Sequence, residues 1–112
     1  MANFTKPISF TGGTWSNLLT RMRTAGYQGG GNVSSLGIHN ADAALLLYLH
    51  LTDNGSTNPA TGTDGWVIGA GAGGAGATFF SDRGANSSSL DLGTTWIYAP
   101  TTVTAKVMAI GS

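Results

Sequence analysis

The sequence predicts a mainly β chain: an antiparallel, jelly-roll-like β-sandwich of six to eight short strands, with an N-terminal arm and a short helix. Three observations carry that prediction. Apolar runs are short, the longest being the seven residues from Ala43 to Leu49. Several of them alternate apolar with polar residues, the period of a strand covered on one face. Gly, Pro and Asn fall between these runs at spacings that suit turns.

Residues 1–31 read as an arm and a short helix, and residues 32–112 as the sandwich domain. In the first 13 residues Pro7 and the pair Gly12-Gly13 disfavour regular structure, while Phe4, Ile8 and Phe10 are apolar anchors available for docking. Such an arm would leave a folded sandwich behind when cut away; the alternative is a strand that completes the sheet. From Thr14, Trp15, Leu18, Leu19 and Met22 recur at helical spacing, with Thr14 to cap the start and Gly26 to end it. Thr and Trp favour sheets, so a strand is the competing reading. Gly29-Gly30-Gly31 reads as a hinge or linker. Val33 to Asn40 alternates with Leu36 and Ile38 on one side. Leu45, Leu47, Leu49 and Leu51 form a leucine face against a mixed face of Leu46, Tyr48 and His50, and Asn40-Ala41-Asp42-Ala43 suits a hairpin turn between the two runs. Asn54 to Thr63 is a loop by composition. Gly65 to Ile68 and Ala77 to Phe80 read as strands, Asp82 to Ser89 as a loop, and Thr94 to Tyr98 and Thr102 to Ile110 as two strands broken at Pro100.

Composition excludes several functions. Charged residues are 9% of the 112, against roughly 25% in an ordinary domain. Five Asp balance three Arg and two Lys, so no basic cluster can neutralise phosphates and no nucleic-acid partner is expected. No apolar run reaches the ~18 residues of a membrane span. Without Cys there is no disulfide, thiolate metal site or thiol nucleophile. Leu, Ile, Val and Phe total only 23 residues, which predicts a thin core and, with so little surface charge, a protein that lives in an assembly. Met1 to Pro7 has no apolar signal core, so synthesis and use from the cytoplasm are expected.

Three motifs invite a chemical reading. Gly69-Ala70-Gly71-Ala72-Gly73-Gly74 fits a dinucleotide fingerprint, with Asp91 about 20 residues on. No helix can follow these glycines to receive a pyrophosphate, so a flexible hairpin connection or a close backbone approach at an interface is the better reading and no cofactor is expected. His39 with Asp42 and His50 with Asp53 repeat an H-x-x-D spacing, but the two pairs sit far apart on a predicted hairpin, so no metal site is expected. The Asp residues lie in turn contexts such as Asp53-Asn54-Gly55, Asp64-Gly65 and Asp82-Arg83-Gly84, there is no Glu, and no nucleophile elbow occurs; catalysis is not expected. Trp66, Trp96 and Tyr98 point elsewhere. Trp96 and Tyr98 share one strand face and Ile97 the other, so one face is outside or in an interface. An interface is favoured, and a sugar-stacking platform is the alternative.

The stretches Leu36-Gly37-Ile38-His39-Asn40, Leu47-Tyr48-Leu49-His50-Leu51 and Asn58-Pro59-Ala60-Thr61-Gly62-Thr63-Asp64-Gly65 resemble small structural proteins of tailed-bacteriophage virions. The resemblance spans roughly residues 33–110 and implies a β-sandwich that decorates a capsid, usually as an oligomer, with no catalytic residue. The expected role is therefore a virion decoration or cement protein, with a glycan-binding module as the alternative. Its expected partners are further copies of itself, as a trimer, and the major capsid protein or another virion protein. The interface candidates are Phe4, Ile8, Phe10, Trp66, Trp96 and Tyr98.

Overall fold

In a computed structural model, which describes residues 2–40, 42, 44–51, 65–70, 78–82 and 90–111, the first nine described residues form a strand. This strand, β1 (Ala2–Phe10), runs antiparallel to the last one, β9 (Val103–Gly111), from Ala2↔Gly111 to Phe10↔Val103. β9 also pairs with β3 (Asn32–His39), and β3 with β6 (Thr78–Asp82), giving a long sheet of order β1-β9-β3-β6. A two-residue β7 (Leu90–Asp91) adds to the start of β3 beside a register shift between Val33 and Ser35. The second, shorter sheet joins β2 (Thr14–Asn17), β8 (Thr95–Ala99), β4 (Leu47–Leu51) and β5 (Trp66–Ile68) in the order β2-β8-β4-β5.

Every pairing within the two sheets is antiparallel, and the chain passes from one sheet to the other after β1, β2, β3, β5, β7 and β8. With the two-residue β7 set aside, the eight remaining strands wrap into two four-stranded layers as in a jelly roll. The expected hairpin at Asn40–43 is corrected: β3 and β4 lie in different sheets, and the connection is a corner. Its polar side chains hold it. Asn40 Nδ2 donates to the Leu45 and Ile68 carbonyls, Asn40 Oδ1 accepts from the Asp42 amide, and Asp42 Oδ1 accepts from Ala44 and Leu45 amides at 2.9 and 2.8 Å. Those two backbone donors hold the Asp42 carboxyl below its ordinary pKa.

The N-terminal arm is also corrected. Phe4, Ile8 and Phe10 point inward from β1 and are buried in the core of their own chain, so they are not interface residues, and no domain boundary falls at residue 31. Apolar residues at even positions satisfy the two-residue period, and Pro7 is tolerated because β1 is an edge strand. Inward-facing partners are Leu36, Ile38, Val107 and Ala109 from the long sheet, and Leu47, Leu49, Ile68 and Ile97 from the short one. The segment expected as helix or strand is both in turn. β2 ends at Asn17, whose Oδ1 accepts from the Thr20 amide and caps α1 (Leu18–Thr24). Asn17 Nδ2 donates to the Gly93 carbonyl at 2.9 Å, tying α1 to the 3₁₀ turn at Leu92–Thr94. Leu18 and Met22 close one end of the core together with Leu92 and Tyr27, whose ring meets Phe4 edge-on at 5.7 Å. Gly26, at φ 106°, ends the helix as predicted.

Gly12 and Gly13 make the first corner. Gly13 has φ 80°, and a Cβ on Gly12 would lie 2.6 Å from the Thr102 amide nitrogen. Only glycine lets the chain leave β1 and enter the other sheet at this point.

Candidate functional site

The outer face of the short sheet carries an aromatic array. Alternation sends Leu47, Leu49, Ile97, Ala99 and Ser16 inward, which leaves Tyr48 and His50, Trp96 and Tyr98, and Trp15 on the outside, each partly buried. The strand register lines them up. Trp15 faces Tyr98, Tyr98 faces Tyr48, and Tyr48 faces Val67, so one row crosses all four strands over roughly 14 Å. A second row runs Asn17, Trp96, His50. Ring centroids lie 5.3 Å apart for Trp15 and Tyr98, 6.3 Å for Tyr48 and Tyr98, and 5.9 Å for Trp15 and His50. Offset and edge-on contacts of this kind suit the quadrupoles of aromatic rings. The Nε1 groups of Trp15 and Trp96 are closed off from solvent without a hydrogen-bond acceptor, so both indoles contribute apolar surface rather than donors.

No strand of this sheet contains Asp, Glu, Lys or Arg. At its edge, β5 and the end of β4 expose large apolar side chains: Trp66 is 72% exposed, and Val67 and Leu51 are each 52% exposed. Trp66 stands opposite Leu49 and shares its inward parity, yet the core stops short of it. Trp66 is therefore not on the face that holds Trp96 and Tyr98. The three aromatic candidates divide into an outer-face pair and an edge residue, and they do not make one platform.

Sequence reading missed Trp15, Tyr48 and His50 as partners of that pair. The mixed face of Tyr48 and His50 is visible as an alternation, but a single sequence does not say that β4 lies beside β8. Trp15 hides in an apolar spacing that also fits the helix beginning three residues later.

The other motifs place as follows. His39 and His50 lie on the outer faces of different sheets, and Asp42 serves the backbone of a corner. Asp91 caps the 3₁₀ turn by accepting from the Gly93 amide at 2.8 Å. Residues 71–77 of the glycine run, and Asp53 and Asp64, lie outside the described residues. No described helix is long and apolar enough to cross a membrane. Fold and site together define a jelly-roll domain with one uncharged aromatic sheet and an exposed apolar edge. Comparison with protein-family models, curated proteins and solved structures found no match for the chain.

Proposed function

We propose that this chain is a structural subunit of a virion surface, a capsid decoration protein that associates with itself and with the major capsid protein. The observation that carries the reading is the exposed apolar edge formed by Trp66, Val67 and Leu51 beside an uncharged sheet. Large apolar side chains grouped on a surface mark contact with another macromolecule. Jelly rolls serve in viral capsids and in lectins, an analogy of fold that agrees with this role. Burial and backbone pairing, with little help from charge, then drive assembly, so attachment is insensitive to moderate salt. Immunogold labelling of intact source particles tests the reading. Label on the outer surface supports it; washed particles that carry no copy of the chain overturn it.

A second reading, glycan binding, is favoured by the row Trp15, Tyr98 and Tyr48, because flat uncharged rings suit the apolar faces of sugars. A glycan array probed with the purified chain and with a Tyr98→Ala variant separates the two. Binding lost in the variant supports the second reading, and an array without signal removes it.

A further inference from the structure

The outer face of the long sheet contains a groove of about 270 Å³ lined by Thr5, Gly37, His39, Lys106, Val107 and Met108. Its origin is a missing side chain. Thr5 faces Met108 and Met108 faces Gly37 across β1, β9 and β3, so the pleat presents two side chains and then a hole. The groove is too small for a drug-sized ligand, which takes about 300 Å³ or more, but about 150 Å³ already admits a benzene ring. Its dimensions suit one large aromatic side chain.

The same chain exposes such a side chain on its other sheet. We infer that the Trp66 indole of one copy seats in the Gly37 groove of the next copy, a knob-in-groove contact that rests on the self-association proposed above. The chemistry agrees. Met108, 43% exposed, offers a thioether to the ring, and the Lys106 ammonium at the rim can lie over the indole face, the best aromatic partner for a cation. Among the described residues, the groove lining contains no carboxylate to compete for that ammonium.

The area involved sets the form of the assembly. One contact covers on the order of 300 Å² of apolar surface counted over both copies, well short of the roughly 1,200–2,000 Å² total of a stable interface. A copy that both gives an indole and receives one makes two contacts. Repeated from copy to copy, this head-to-tail contact builds a ring where its rotation closes and an open chain where it does not.

The test measures oligomeric mass by light scattering at high micromolar concentration, with far-ultraviolet circular dichroism to verify folding. The wild-type chain is expected to self-associate into species larger than a monomer. Trp66→Asp and Met108→Glu are each expected to weaken it by at least about 30-fold, the range of an interface hot spot. Lys106→Glu, on the exposed rim, replaces Met108→Glu where that variant fails to fold. Because the chain has no cysteine, a Leu51→Cys copy, whose thiol lies on the same face as Trp66, mixed with a Thr5→Cys copy adds a direct readout. A mixed disulfide that forms faster than either self-pairing supports the contact. An oligomer that persists in Trp66→Asp, or self-pairing that outruns the mixed disulfide, overturns this inference and leaves the structural reading standing. A wild-type chain that stays monomeric removes self-association and this contact with it.

Discussion

The two sheets of this jelly roll use the same alternation for different ends. The long sheet has strands of nine, nine, eight, five and two residues, and it carries all the charged residues found on the described strands: Lys6, Asp82, Asp91 and Lys106. The short sheet has strands of four, five, five and three residues, no charge, and an aromatic outer face. A short sheet makes few ladder hydrogen bonds, so its share of stability comes from side chains packed on both faces. The long sheet gains more from continuous pairing and from the phenyl groups it buries. The contrast teaches that a chain with little apolar material can concentrate stability in one layer and leave the other free to display surface.

The largest expected effect lies in the long sheet. Phe10 is fully buried at the end of β1, and Phe10→Ala is expected to cost about 3–5 kcal/mol by cavity formation. In so thin a core this leaves little native protein, as denaturant titration followed by circular dichroism will show. Deleting residues 2–10 removes a whole edge strand and is expected to unfold the chain, in place of the folded remnant that an arm predicts. A loss of less than 1 kcal/mol for Phe10→Ala would break the comparison.

The seam between the sheets comes next. Gly12→Ala puts a methyl group 2.6 Å from the Thr102 nitrogen and 2.8 Å from Thr101 backbone atoms, and the same titration should read a loss of about 1–3 kcal/mol from overpacking. Asn17→Ala removes the α1 cap and the tie to Gly93, for about 1–2 kcal/mol, with Asn17→Ser recovering part of it. On the outer face of the short sheet, Trp15→Ala is expected to cost only about 1 kcal/mol, because it loses ring contacts without opening a core cavity. A cost equal to that of Phe10→Ala would make the aromatic array a second core and erase the difference between the sheets.

The smallest effect is a pH dependence at the β3–β4 corner. Asp42 has a depressed pKa in the folded chain, so its hydrogen bonds to Ala44 and Leu45 contribute above its unfolded value and are lost as pH falls through the folded one. Thermal melts of the wild type and Asp42→Asn are expected to differ at neutral pH, to begin converging only below about pH 4, and to meet once pH has fallen past the depressed folded value.

The short strands were legible because alternation survives in a sequence wherever one face is buried: Leu36 with Ile38, Leu47 with Leu49, and Ile97 against Trp96 and Tyr98. β1 has the same period in Phe4, Ile8 and Phe10, but Lys6 interrupts it on the inward parity and Pro7 argues against a strand. Lys6 resolves the conflict by reaching out to the Ala25 carbonyl at 2.9 Å. The corner at Asn40–43 could not be told from a hairpin, because the same turn chemistry serves both. The aromatic array was half visible, since Trp96 and Tyr98 announce an outward face while Trp15 and Tyr48 join it only through pairings between distant segments.

The position of β9 has a kinetic consequence. It is the last strand in chain order, yet it lies between β1 and β3, making it the spine of the long sheet. Until it docks, β1 has no neighbour in its sheet, and Phe4, Ile8 and Phe10 have no ladder to hold them in place. The two strands that must meet are separated by nearly the whole sequence, and closing so long a loop costs entropy before any contact repays it. Folding of this small domain is therefore expected on the slow millisecond-to-second side of the range for its size, limited by a single late encounter between its two ends.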